Sequence, residues 1–239
     1  MIFNFPYKPV IEDFNKKGFL TLNSVIKILE NAGNGHSDLA GENVFNMHKA
    51  SHAWVLTEWQ IEILEYPAYG AELKAETWSE GISSPLVANR NFLLYKNGVI
   101  CAKGATRWIL IDMNTGRPCR IEPEEFEKYQ SENKTVFEDK KLSKIPVPEY
   151  FEKDLNNPVR RSDIDFNMHV HNLTYLDYAR EVIPEECAEL MNFKKLRIAY
   201  KTALKEGSTA VCKYANVEGT HVVFIFDSEN NLCCQIQFA

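Results

Sequence analysis

The run RRSDIDFNMHVHNLTYLDYARE, residues 160–181, places Asp163, Asp165, Asn167, His169, His171 and Asn172 in one short stretch. These side-chain types can work together on a polar bond. An imidazole titrates near neutrality and can take a proton from water. A carboxylate can fix the imidazole tautomer or activate the water itself. An amide and the free N–H groups at the start of a following helix can hold an oxyanion. Asp165, Asn167 and His169 are spaced by two, so an extended backbone would set them on one face with Asp163 and turn Phe166, Met168 and Val170 inward. The set suits hydrolysis of an acyl bond. Blander roles compete: Asp and Asn before a helix often serve as caps and turns, above all for Asp163 and Asn172. His169 and His171 form an H-x-H pair, but no HExxH or cysteine partner supports a metal site. The expectation is no metal and no cofactor.

A second stretch, IEDFNKKGFLTLNSVIKILE at residues 11–30, repeats the letters DFN and sets Lys17 where the later copy has His169. Each polar run precedes a helical pattern. Leu22, Val25, Ile26 and Leu29 predict a helix over 21–33, with Thr21 as cap and Gly33 as stop. After Asn172, Leu173, Leu176, Tyr178, Ala179 and Val182 mark the buried side of a second helix. Alternating segments follow each one. In LTEWQIEIL, Trp59, Ile61 and Ile63 share a face, and KNG at 96–98 signals a hairpin. Later strands are expected at 195–204, 209–217, 220–227 and 231–238.

Residues 115–157 are charged and proline-bearing, which suggests a linker carrying a short helix near 123–130. Aligning Gly70 with Gly207 brings Ile61 onto Ile198, Ile63 onto Tyr200 and Ala75 onto Cys212, so the chain reads as two copies of one unit. The expected division is 1–120 as an N-terminal unit, 121–157 as linker, and 158–239 as the unit with the polar run. The fold class is α+β: two tandem hotdog units, each a helix wrapped by an antiparallel sheet, paired edge to edge about a pseudo-twofold.

With 239 residues, 45% of them hydrophobic, the chain can bury a substantial core. A net charge of −6 argues against nucleic-acid binding by bulk positive charge. No apolar run is long enough to span a bilayer. The N-terminus lacks a secretion pattern. None of the six cysteines forms a CxxC, so a reducing cytoplasm is the expected setting.

SDIDFNMHVHNLTYLDYARE resembles the D-x-D-x-N-x-H-x-N-N signature of acyl-acyl carrier protein thioesterases, the plant and bacterial enzymes that release fatty-acyl chains. WVLTEWQIEILEYPAYGAELKAETW and RWILIDMNTGRPCRIEPE are similar to two further stretches of that family, so the resemblance spans nearly the whole chain. It implies a double hotdog fold, no metal, and thioester hydrolysis on acyl carrier protein. Its motif carries over onto Asp165, Asn167 and His169 as catalytic residues. Asn172 stands as the second Asn and is assigned to substrate binding, with Trp59 and Trp108 as aromatic residues able to line an acyl tunnel. Two positions depart from the pattern. His171 replaces an Asn, and Ala203 stands where the family tends to carry a glutamate. The rival readings are an acyl-coenzyme A thioesterase, a hotdog dehydratase and a catalytically inactive acyl-binding module. Self-association into a homodimer is left open.

Overall fold

The computed structural model describes residues 1–43, 51–81, 84–138, 144–189 and 193–239. Met47 and His48 lie outside the described residues. Two compact units emerge, one of residues 1–20 with 24–140, the other of 21–23 with 141–239. The expected linker is therefore shared between them. Helix α2 (Pro123–Glu127) buries Phe126 with Ile121 and Leu110 in the first unit, whereas β6 (Lys153–Pro158) is an edge strand of the second.

The first unit runs β1 (Phe3–Tyr7), α1 (Leu22–Leu39), β2 (His52–Ile63), β3 (Leu73–Ser79), β4 (Ala88–Lys96) and β5 (Val99–Asp112). Its strands lie in the order β1-β3-β4-β5-β2, every neighbouring pair antiparallel. The helix outruns the predicted 21–33 because Gly33 and Gly35 are absorbed into it. Gly33 faces Phe92 of β4 and Gly35 faces Phe3 of β1, so their lack of side chains lets α1 lie close to the sheet. Gly104 of β5 does the same from below: a Cβ there would stand 3.0 Å from Leu29 Cδ1 and 3.3 Å from Trp59 Cζ3. The alternation read in β2 holds, with Trp59, Ile61 and Ile63 buried.

The second unit repeats this plan with β6, α3 (Thr174–Val182), β7 (Lys195–Tyr200), β8 (Thr209–Val217), β9 (Thr220–Phe226) and β10 (Leu232–Phe238), ordered β6-β8-β9-β10-β7. Substituting each strand by its counterpart converts one order into the other. The turn chemistry repeats as well. Asn97 and Gly98 join β4 to β5 with φ of 47° and 79°, and Glu218 and Gly219 join β8 to β9 with 51° and 82°. Two consecutive positive φ values suit a right-twisted hairpin. In β1–β3, Phe5 pairs with Ala75; in β6–β8, Leu155 pairs with Cys212, matching the alignment on the two glycines. The fold is α+β, two hotdog units each packing a helix on an antiparallel sheet, although α3 is half the length of α1.

The DFN alignment requires correction. Asp13 and Asp163 occupy the same place, each at the end of a short 3-10 turn, Ile11–Asp13 and Arg161–Asp163. The bridge Phe14–Leu20 matches Ile164–Val170, and Phe19–Ala68 matches His169–Lys205. His169 thus corresponds to Phe19 and not to Lys17. The repeated letters sit two residues out of structural register.

Candidate active site

Each polar loop is anchored by a buried aspartate. Asp163, 4% exposed, accepts the Arg160 backbone N–H at 2.8 Å and the Tyr178 hydroxyl of α3 at 2.7 Å, and pairs with the Arg160 guanidinium at 2.8 Å. Burial works against its charge. The Arg160 side chain, the Tyr178 hydroxyl and the Arg160 N–H together outweigh it and hold the carboxyl below the usual carboxylate range. In the first unit Asp13 accepts the Val10 N–H at 2.9 Å, the Tyr7 hydroxyl at 2.9 Å and the Ser24 hydroxyl at 3.2 Å, and pairs with Lys27. Asp163 is therefore a pin for the loop and not a water-facing base.

Beyond the pin the chain turns tightly. The Asp165 N–H donates to the His169 carbonyl at 2.8 Å, and the Met168 N–H donates to the Asp165 carbonyl at 3.0 Å. Met168 takes φ of 62°, the place of Gly18 in the first copy. Asp165 Oδ1 accepts the Asn167 N–H at 2.8 Å and the His169 N–H at 3.4 Å. The expected extended stretch is thus a turn. It brings Asp165 and His169 together as facing ends and leaves Asn167 exposed at the tip. Phe166 and Met168, expected inward, are 42% and 64% exposed, because a turn does not alternate its side chains as a strand does. Val170 is buried as expected.

The turn is fastened to the β7–β8 connection. The Val170 N–H donates to the Leu204 carbonyl at 2.9 Å, the Leu204 N–H donates to the Tyr175 hydroxyl at 2.9 Å, and the Tyr200 hydroxyl donates to the Asn172 carbonyl at 3.1 Å. Ala203 sits in this fastened segment and is exposed. The start of α3 has less to offer an oxyanion than its sequence suggests. The Leu173 N–H donates to His171 Nδ1 at 3.2 Å, and the Thr174 N–H to the His171 carbonyl at 2.9 Å. His171 acts as a cap for the loop. Among the described residues no three His, Cys, Asp or Glu side chains gather to hold a metal.

The free groups are the informative ones. Asp165 Oδ2, the His169 ring, the Asn167 amide and the Asn172 amide have no hydrogen bond to other described residues. In the first copy Asn15 Oδ1 makes the same turn bonds, to the Lys17 N–H at 2.9 Å and the Phe19 N–H at 3.1 Å. Asn15, Lys17 and Phe19 occupy the places of Asp165, Asn167 and His169. The first turn keeps the geometry and lacks the ionisable pair.

Trp59 and Trp108 lie in the first unit. Trp59 is buried against Phe92, ring centroids 5.1 Å apart. Trp108 is half-buried and donates its indole N–H to the Thr106 hydroxyl at 2.8 Å. Neither Glu30 nor His36 belongs to the polar runs that the sequence singles out. His36 is buried, its Nδ1 is 2.9 Å from the Arg90 guanidinium, and burial followed by that cation lowers it to about 4. The thiols of Cys101 and Cys212 are each pushed up to about 12 by burial, which leaves them inert as nucleophiles.

The acyl-ACP thioesterase N-terminal domain model matches residues 2–129, and the C-terminal domain model matches residues 148–236. An oleoyl-acyl carrier protein thioesterase from Arabidopsis thaliana is 24% identical over 200 residues, covering 76% of this chain and 54% of its own length. A palmitoyl-acyl carrier protein thioesterase from Cuphea hookeriana is 27% identical over 164 residues, 65% of this chain and 39% of its own. The chain spans about half the length or less of these curated relatives. A solved acyl-ACP thioesterase from Bacteroides thetaiotaomicron superposes with a TM-score of 0.86 at 22% identity, covering 99% of this chain and 96% of that one. A 12:0-ACP thioesterase from Umbellularia californica gives 0.85 at 18%, with the same coverage of both chains. At these identities the solved structures speak for the fold.

Proposed function

Because the chain belongs to the acyl-ACP thioesterase family, we propose that it hydrolyses acyl-acyl carrier protein thioesters and releases free fatty acids at the Asp165–His169 turn. One observation carries this reading. The second copy of the turn keeps an unpaired carboxylate oxygen and an unpaired imidazole on the two residues that close it, while the first copy has Asn15 and Phe19 in those places. A turn needing only a cap would be served by asparagine, as the first copy demonstrates.

In the proposed mechanism His169 takes a proton from water as the water oxygen bonds to the thioester carbonyl carbon, and Asp165 Oδ2 orients that water. The Asn167 amide holds the oxyanion. The C–S bond then breaks, and the imidazolium returns its proton to the departing thiolate. Asn172 contacts the substrate beside the turn, and the acyl chain occupies the first unit, where Trp59 and Trp108 supply aromatic surface. The carrier is an acidic protein, and exposed Arg161, Lys194, Lys195 and Lys201 of the second unit offer it cations. The six free cysteines fit a reducing, cytoplasmic setting, and no helix among the described residues is long and apolar enough to cross a membrane.

Thiol release is to be measured on acyl-carrier and acyl-coenzyme A thioesters across chain lengths. Turnover of the carrier substrates at the higher kcat/KM supports the proposal. Preference for coenzyme A would transfer the activity to that thioester class. Acyl binding without turnover on either carrier would refute hydrolysis and leave a binding module.

A further inference from the structure

Inside the first unit lies an ionisable group that the proposed mechanism does not use. Glu30 is on α1, next to Leu29, whose Cδ1 approaches Gly104 of β5. It is half-buried. Burial pushes its carboxyl up to about 8, and the Trp59 indole is the single group pulling it back; no cation compensates it. The carboxyl is therefore mainly in its neutral, proton-bearing form at pH 7. Trp59 is 1% exposed, and its Nε1–H has no well-formed hydrogen bond among the described residues. Phe92 and Gly104 make the adjoining wall apolar.

Buried donors are ordinarily paired, because an orphaned one carries its full desolvation penalty. Here a buried indole N–H without a completed bond stands beside a carboxyl. A plain alkyl chain offers the indole no acceptor. An oxygen on the chain serves both groups: it accepts from the indole, and it accepts from the carboxyl O–H or, as a hydroxyl, donates to the carboxyl C=O. We propose that Glu30 and Trp59 form a recognition site, within the first unit, for a hydroxyl or keto oxygen carried on the acyl chain. This rests on the reading that the chain is a thioesterase whose acyl group occupies that unit.

The test compares acyl chains of one length, unsubstituted or carrying a hydroxyl or keto group at successive carbons. Two readouts run in parallel: calorimetric binding of the free fatty acids, and kcat/KM for their carrier thioesters. Wild type should favour at least one oxygenated chain about tenfold over its parent, the scale of one net hydrogen bond. Glu30→Leu should bring that ratio close to unity. Glu30→Gln, which keeps a donor and an acceptor in nearly the same shape, should retain part of it, and far-ultraviolet circular dichroism checks that both variants fold. The hydroxyl and keto arms tell the two oxygen sources apart. A preference in binding with no hydrolysis of any thioester would refute the proposed function and uphold the recognition site. Hydrolysis or binding indifferent to oxygenation in wild type, or a preference that survives Glu30→Leu, would overturn the site.

Discussion

Replacing Asp163 with alanine should destabilise the second unit by about 2–4 kcal/mol and, separately, slow catalysis. Three interactions set the figure. Loss of an acceptor for the Arg160 N–H at the start of a helical turn is worth ~1 kcal/mol. The buried Tyr178 hydroxyl loses its partner at 2.7 Å, and an orphaned buried donor costs about 1–3 kcal/mol. The ion pair adds less than ~1 kcal/mol, because the Arg160 side chain is largely exposed and recovers water when released. Asp13→Ala removes the equivalent pin in the first unit and should destabilise the fold by a similar amount. The two variants should part in activity. The Asp163 side chain also ties the chain two residues before the Asp165–His169 turn to Tyr178 of α3 and to the Arg160 N–H, so its loss should lower kcat of the folded fraction. Asp13→Ala should leave kcat near wild type at temperatures where it stays folded. Both carboxyls are held below their ordinary range, so their contribution to stability is complete above the unfolded carboxylate pKa of about 3.9 and is lost as pH falls through the lower folded value. Acid unfolding of either variant should accordingly be shallower than that of wild type. Urea titrations by circular dichroism at neutral and acid pH, with thiol-release rates on the same samples, measure all of this. A loss below about 1 kcal/mol for Asp163→Ala, or an equal fall in kcat for both variants, would refute the pin and its coupling to the turn.

Asp165→Asn should keep the turn, since Asn15 already makes the same two bonds in the first copy, yet cut hydrolysis roughly a hundredfold, as should His169→Ala; Lys17→Ala should change little, and a comparable loss there would overturn the single-site reading. Ala203→Glu should raise kcat without unfolding the protein, because the position is exposed and a carboxylate there stays hydrated; a stability loss of several kcal/mol in denaturant titrations would contradict this. Reversing Lys194 and Lys195 to glutamate should raise KM for acyl-carrier substrates and spare small thioesters, whereas equal effects on both would indicate misfolding instead of lost docking.

Local pattern determined much of this protein. Alternation fixed β2, because a half-buried strand must send every second side chain to the core. The Asn97–Gly98 turn was legible because few residues adopt two positive φ values in a row. The duplication was visible through Gly70 and Gly207, since both copies need a left-handed residue at the same turn. That Asp165, Asn167 and His169 share one short polar run was legible too, and the structure sets all three on a single turn.

Other features depended on contacts that residue type and spacing do not reveal. Spacing by two reads equally as strand or as turn, and only the carboxylate of Asp165 folding back onto two N–H groups decides for the turn, which is why Phe166 and Met168 face outward. The repeated DFN misled by two residues because structural register follows the buried aspartates, and Asp163 is marked as one only by Tyr178, fifteen residues away. Glu30 sits among polar helix residues in the sequence and carries no local sign of its setting. Its burial beside Trp59 is created when α1 is laid across the sheet, and burial, being a property of the assembled chain, is what moves a carboxyl from solvent-facing charge to an internal acid.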